Sequence, residues 1–249
     1  MIKLGNLTLN GTPRIAVGFK DIVSSHVLSD AKNLGLDVIE IRIDQFKFYE
    51  KDYVLRQVQK LKAFPTIATI RSKFEGGNWN LSEEARLELF RAIVSKVDSV
   101  DVELSSKQIL RDVVKLAHSA KKLIVISYHN FDATPSLQQL NSIVDQAKRA
   151  GADIVKIATM ALKKEDIITL AELTISQRSK NLITIGMGSL GLASRIFFPM
   201  LGSLLTYAYL GEPTAPGQLH YEDTFDYLRR FYPSFNSEKI DTLKILQKV

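Results

Sequence analysis

Val38-Ile39-Glu40-Ile41-Arg42-Ile43 alternates aliphatic with charged or aliphatic partners along a β-branched run. Side chains of one parity on a strand face one side of the sheet. Ile39, Ile41 and Ile43 therefore form an apolar set turned outward, toward covering helices, and Glu40 and Arg42 share the opposite, inner face. A lone acid or a lone base would be costly in that interior, whereas the two together are tolerable. Taken alone, the segment fits a structural ion pair between Glu40 and Arg42 as well as a pair of working groups.

Seven further runs resemble this one: Arg14–Gly18, Thr66–Arg71, Ser99–Glu103, Leu123–His129, Asp153–Ala158, Leu182–Met187 and Ser203–Tyr209. With Asp37–Arg42 that makes eight. Segments spaced near 3.6 residues lie between them, such as Val54, Val58 and Leu61, or Leu87, Ile93 and Val97. Ser82 before Glu83-Glu84-Ala85 predicts a helix N-cap with acids in the first turn, where they complement the helix dipole. Strands alternating with helices imply a parallel sheet with right-handed crossovers. Eight such units predict an α/β fold of the (β/α)8, or TIM barrel, type; a doubly wound open sheet is the alternative by pattern. The N-terminal residues 1–11 read separately, as a small β-hairpin around Gly5-Asn6. Without a linker, low-complexity stretch or composition break, 1–249 is expected to form a single barrel domain.

Composition narrows the chemistry. The 249 residues, 45% of them hydrophobic, suffice for one large core of barrel size. There is no cysteine, which removes disulfide frameworks, thiolate nucleophiles and cysteine-based zinc or iron–sulfur sites. The N-terminus lacks the apolar stretch of a secretory signal. The longest charge-free run, Ile196–Gly211, is broken by Pro199 and Gly202 and falls short of the roughly 20 apolar residues of a spanning helix. A cytoplasmic protein with no membrane partner is expected. Lys and Arg number 33 against 27 Asp and Glu, a net +6, yet they are mixed with acids, as in Lys163-Lys164-Glu165-Asp166. No basic stripe with interleaved aromatics marks a nucleic-acid surface.

The strand ends carry the polar groups. Arg71 ends the third strand, Asp101 and Glu103 alternate on the fourth, and Val125, Ser127 and His129 form the inner set of the fifth. Active sites of barrels lie at these C-terminal ends. Lys156 is flanked by Ile154, Val155, Ile157 and Ala158. Desolvation disfavours the ammonium form of a lysine and makes a free amine available toward ketones. A lysine that snorkels to water, or pairs with a carboxylate such as Glu103, is the plainer alternative. His129 ends the neighbouring strand, and an imidazole exchanges protons at neutral pH. His26, His118 and His220 sit in mostly polar helical patterns, and no His-x-x-x-His spacing occurs, so no metal site is expected. Gly186-Met187-Gly188-Ser189-Leu190-Gly191 matches G-x-G-x-x-G, but the acid at the right distance, Glu212, lies in Gly-Glu-Pro beyond the last strand. Dinucleotide binding is not expected. Arg195, just beyond, is the better lead, as a bidentate grip for a carboxylate.

Several of these segments together resemble type I 3-dehydroquinate dehydratase, the Schiff-base class of that enzyme. They are Glu40-Ile41-Arg42-Ile43-Asp44, Thr69-Ile70-Arg71-Ser72-Lys73-Phe74-Glu75-Gly76-Gly77, Ser127-Tyr128-His129-Asn130-Phe131, Thr134-Pro135 and Val155-Lys156-Ile157-Ala158. Met187-Gly188 through Gly191, Ser194-Arg195 and Ala215-Pro216-Gly217-Gln218 complete the set, in the family's order from about residue 12 to 231. The resemblance implies a (β/α)8 barrel that removes water from 3-dehydroquinate to give 3-dehydroshikimate, in the shikimate pathway to chorismate and the aromatic amino acids. It places the imine-forming lysine on Lys156, the general acid/base on His129 and that histidine's carboxylate partner on Glu75. Glu40, Arg42, Arg71, Arg195, Thr214 and Gln218 match the residues that hold the substrate. No metal or organic cofactor is implied, and a homodimer is.

Two positions depart from the family pattern: Gly18 stands where a serine is common, and Thr214 replaces the usual serine before Ala-Pro-Gly-Gln. A changed affinity is expected, with the same reaction. The tail from about 233 to 249 runs beyond many family chains, and Ile240, Leu243 and Leu246 predict a short helix there. A Schiff-base aldolase-type lyase is the second enzyme reading, although Glu40, Arg42 and Gln218 suit a polyhydroxylated ring better than a phosphate. A basic binding protein on a barrel scaffold leaves the inward Lys156 and His129 unexplained.

Overall fold

The computed structural model describes residues 1–21 and 35–246, with side chains described as far as Ile240. His26 and the side chains of Leu243 and Leu246 lie outside that range. Two short strands, β1 (Lys3–Leu4) and β2 (Leu7–Thr8), pair antiparallel as the predicted hairpin. Gly5 takes the turn with φ +57°, a conformation that glycine adopts without penalty. Eight parallel strands follow where the pattern put them. They are β3 (Ile15–Phe19), β4 (Val38–Arg42), β5 (Thr66–Thr69), β6 (Ser99–Glu103), β7 (Leu123–Asn130), β8 (Ile154–Met160), β9 (Leu182–Met187) and β10 (Thr206–Tyr209). A two-residue β11 (Leu219–His220) extends the edge, and the order is β11-β10-β3-β4-β5-β6-β7-β8-β9.

The sheet curls into the (β/α)8 barrel, with one unladdered seam between β9 and β10. There the Leu204 amide donates to the Leu182 carbonyl at 2.8 Å, and the Thr184 amide donates to Ser203 Oγ at 3.0 Å. The expected eighth strand, Ser203–Tyr209, thus spends its first residues bridging the seam and ladders only from Thr206. The described α-helices are α1 (Lys51–Lys60), α2 (Glu83–Ile93), α3 (Leu110–Ser119), α4 (Leu137–Arg149), α5 (Lys164–Ser176), α6 (Leu192–Leu201), α7 (Tyr221–Phe231) and α8 (Pro233–Leu246). Ser82 caps α2, its side chain accepting from the Ala85 amide, which satisfies one orphan donor of the first turn. No helix among the described residues is long and apolar enough to cross a membrane.

Strand parity divides the apolar residues into two layers. Ile39, Ile41 and Ile43 join Val54, Val58, Leu61, Leu89 and Ile93 in the shell between barrel and helices. Ala16, Val38, Ile67, Val125, Ile154 and Ile183 fill the barrel interior, closed from below by Leu4 and Leu9 of the hairpin. These aliphatic groups fill the lower part of the barrel, while the inward Glu40, Arg42, His129 and Lys156 face the C-terminal mouth.

The tail is tied to this floor. Lys239, 4% exposed, reaches from α8 to Asp37 Oδ1 at 2.7 Å and to the Gly35 carbonyl at 2.6 Å. Asp37 also accepts the Ile15 amide and lies 3.6 Å from Arg14, which in turn donates to the Thr8 carbonyl and pairs with Glu238. One buried aspartate thus joins hairpin, first barrel strands and C-terminal helix. Removing one partner of a buried ion pair leaves an uncompensated charge. Lys239→Ala should destabilise the protein by about 3 kcal/mol, measured as a lower urea midpoint, whereas the exposed-pair variant Arg91→Ala should shift it by less than about 1 kcal/mol.

Candidate active site

The nine residues to which the resemblance gave a role line one pocket at the barrel mouth. Glu40, Arg42, Arg71, Glu75, His129, Lys156, Arg195, Thr214 and Gln218 are joined there by Phe131, Ile185, Met187 and Tyr207. The non-atom space of the site is about 520 Å³, open solvent at its mouth included.

Lys156 projects inward from the middle of β8 and is 5% exposed. Its Nζ donates to Glu40 Oε1 at 3.1 Å, lies 3.6 Å from Asp101 Oδ2, and sits 4.2 Å from the centre of the Tyr207 ring. The lysine neither snorkels nor pairs with Glu103. Glu103 is taken up instead by Arg71 at 2.8 Å, by Arg86, by Ser106 Oγ and by the Ser72 amide. Burial alone would raise the Glu40 carboxyl, but Lys156, Arg42, Arg71 and a 2.8 Å hydrogen bond from Thr69 outweigh it and hold it at about 2. Glu40 is therefore an anion throughout the neutral range.

The structural ion pair between Glu40 and Arg42 does not form. Arg42 makes a bidentate contact with Asp44, Nε to Oδ1 at 3.0 Å and Nη2 to Oδ2 at 2.9 Å, which fixes the plane of its guanidinium. Arg71 is held by Glu103, by Asp101 at 2.9 Å and by Ser127 Oγ at 2.6 Å. These holders are aspartates, glutamates and serines that lie near the site in space but in different strands. Asp101 and Glu103 stood out on the inner face by parity, and Asp44 closed the Glu40–Asp44 motif two residues from Arg42; Ser105 and Arg86 carried no signal of their own, because their partners Glu75 and Glu103 come from other segments.

His129 and Glu75 form the second centre. The register places Ser127 beside Lys156 and His129 beside Ala158, so the imidazole lies one strand across and one step nearer the mouth. Glu75 Oε2 accepts the His129 amide at 2.8 Å and lies 3.0 Å from Nδ1, while Ser105 Oγ donates to Oε1. Burial, then Arg71, Lys156 and Arg42, push the His129 imidazole well below its ordinary range. It is neutral at pH 7, and Nδ1–H donating to Glu75 leaves Nε2 as the basic nitrogen. The Glu75 loop is fixed by Gly76 at φ +77°, where a Cβ would meet the Phe131 ring at 2.4 Å.

Arg195 has no carboxylate partner among the described residues. Its Nη groups donate to the Tyr207 and Pro216 carbonyls at 3.1 Å, its Nε has no partner, and burial lowers it to about 10. Gln218 Oε1 accepts the amides of Thr214 and Ala215 and the Thr214 hydroxyl, bracing its own loop. The two departures from the family pattern face each other: a Cβ on Gly18 would lie 3.4 Å from both Cγ2 and Oγ1 of Thr214. The extra methyl at 214 occupies the space beside the missing side chain at 18.

Burial pushes the Glu75 carboxyl up to about 7 despite its Ser105 hydrogen bond. An acid raised in the folded state favours folding at low pH and loses that contribution as pH rises past the unfolded value toward 7. The loss amounts to about 3 kcal/mol above pH 8. Glu75→Gln should therefore be more stable than the parent at pH 8 and nearly equal at pH 4, read from thermal melts at the two pH values.

A family model described as type I 3-dehydroquinase matches residues 19–233. The 3-dehydroquinate dehydratase of Methanococcoides burtonii is 38% identical over 230 residues, covering 90% of this chain and 96% of the relative. The crystal structure of 3-dehydroquinate dehydratase from Geobacillus kaustophilus superposes with a TM-score of 0.83 at 32% identity, over 93% of this chain and 96% of that one. The type I enzyme from Clostridium difficile, solved with covalently modified comenic acid, gives 0.84 at 29% identity over 94% and 98%. On the ordered motifs, the barrel and these likenesses together, the chain belongs to the type I 3-dehydroquinase family.

Proposed function

We propose that this chain dehydrates 3-dehydroquinate to 3-dehydroshikimate through an imine on Lys156, a step of the shikimate route to aromatic amino acids. The observation that carries the reading is the convergence of a buried amine, a neutral imidazole one strand away and an arginine without a carboxylate on one pocket. The 1–249 chain is read as one catalytic barrel domain, cytoplasmic and without nucleic-acid or membrane partners.

In this reading Lys156 Nζ adds to the C3 ketone and water is lost, giving a protonated imine. The C–H electrons at C2 can then flow toward nitrogen as neutral His129 removes the proton. The enamine so formed returns its electron pair and expels the C1 hydroxyl, which leaves as water with the proton from His129. Hydrolysis of the imine consumes one water and releases product and Lys156. Glu75 orients the imidazole and balances the imidazolium it becomes. Arg195 grips the substrate carboxylate, while Glu40, Arg42, Arg71, Thr214 and Gln218 hold the hydroxyl-bearing ring, lowering the entropic cost of alignment.

The test follows enone absorbance with 3-dehydroquinate, then borohydride reduction and mass mapping. Enone formation and an adduct on Lys156 are expected, and their absence overturns the reading. Lys156→Ala should lose both. His129→Ala should still trap substrate but turn over about 10²–10⁴-fold more slowly; near-normal turnover would refute the proton-transfer role.

A homodimer is proposed with it. The rings of Phe197 (α6) and Phe231 (α7) touch at 5.8 Å, and both are about half exposed beside exposed Met200 and Tyr227. Contiguous apolar surface of this kind marks an association face. Sedimentation should show a dimer that Phe197→Glu converts to monomer.

A further inference from the structure

Among the described residues, seven buried side-chain atoms have no hydrogen-bond partner, and two of the residues concerned line the pocket: Arg195 and Tyr207. Arg195 Nε belongs to a group already assigned to the substrate carboxylate. The Tyr207 hydroxyl has no assignment, and neither the family motifs nor the mechanism above uses it.

Its placement is specific. Tyr207 is 4% exposed and inward on β10, in the same layer as Ile183, Ile185 and Met187. Its ring lies 4.2 Å from Lys156 Nζ, so the residue borders any ligand atom bonded to that nitrogen. The phenol is held well above its usual range, first by burial and then by Glu40 and Asp101, so it keeps its proton and serves as a donor. A buried hydroxyl left unpaired bears its full desolvation penalty; Glu40 and Asp101 lie near enough to act on the phenol electrostatically, yet neither accepts a hydrogen bond from it.

We propose that Tyr207 is a further substrate-binding residue, its hydroxyl donating a hydrogen bond to an oxygen of the hydroxyl-bearing ring held over Lys156. The assignment rests on the proposed dehydratase reading and adds a contact to it. Among the described residues no protein group accepts from the hydroxyl; the bound ring supplies an acceptor. Stability and affinity are thereby set against each other at a single oxygen atom.

Tyr207→Phe removes that oxygen and keeps the ring over Lys156. Two readouts are expected to move in opposite directions. The melting temperature of the free protein should rise by about 2–4 °C. For 3-dehydroquinate, kcat/KM should fall about tenfold, and the dissociation constant for added 3-dehydroshikimate should rise about tenfold. A fall in melting temperature overturns the proposal, because the hydroxyl would then have a structural partner. Unchanged kcat/KM and product affinity overturn it equally. Wild-type protein that neither binds nor converts 3-dehydroquinate removes the dehydratase reading and this inference together; wild-type turnover with an unaffected variant removes this inference alone.

Discussion

A chain of alternating charge runs through the barrel interior, and the site depends on it. Arg86, Glu103, Arg71, Asp101, Lys156 and Glu40 follow one another in contact, each 8% exposed or less. Any one of them alone in that environment would be prohibitive to bury; in sequence, each charge has an opposite neighbour on either side or at its end. The order also brings a lysine amine into a water-poor pocket without sending its side chain to solvent. Burial, and after it Arg71, Lys156 and Arg42 across the pocket, hold His129 in its neutral form.

Outside that chain the balance changes. Arg42 has its own carboxylate in Asp44, but Arg195 contacts only backbone carbonyls. Among the described residues the pocket thus combines internally neutralised charge at its floor with a guanidinium, Arg195, that has no carboxylate partner. A monoanionic ligand completes this arrangement, and a neutral or cationic one does not. The net +6 of the whole chain plays little part, because its lysines and arginines are spread among acids along the sequence, as in Lys163-Lys164-Glu165-Asp166.

The glycine motif that imitates a dinucleotide fingerprint has a packing role. A Cβ on Gly191 would lie 2.3 Å from the Gly186 carbonyl, and a Cβ on Gly217 would lie 2.3 Å from the Gly188 carbonyl. Backbone meets backbone at both places. This lets α6, with Arg195, start directly against β9, and lets the loop of Thr214 and Gln218 lie down on the end of that strand. The spacing serves the approach of two peptide segments in place of a pyrophosphate.

By itself the sequence determined the eight barrel strands, the hairpin, the inward set Glu40, Arg42, Ser127, His129 and Lys156, and the family, but not the short edge strand β11. Those properties follow from period-two and 3.6-residue patterns and from ordered motifs, all local along the chain. It did not determine which charge meets which. Arg42 turned to Asp44 and Lys156 to Glu40, although the sequence alone offered Glu40 to Arg42 and Glu103 to Lys156. Nor did it show Arg86 and Ser105 reaching the site from outside its motifs, or Tyr207 under the amine with a free hydroxyl. Pairing inside a barrel depends on strand register and on distances of a few ångströms between segments dozens of residues apart. Only the closed tertiary structure sets those distances, and with them the protonation state of each group.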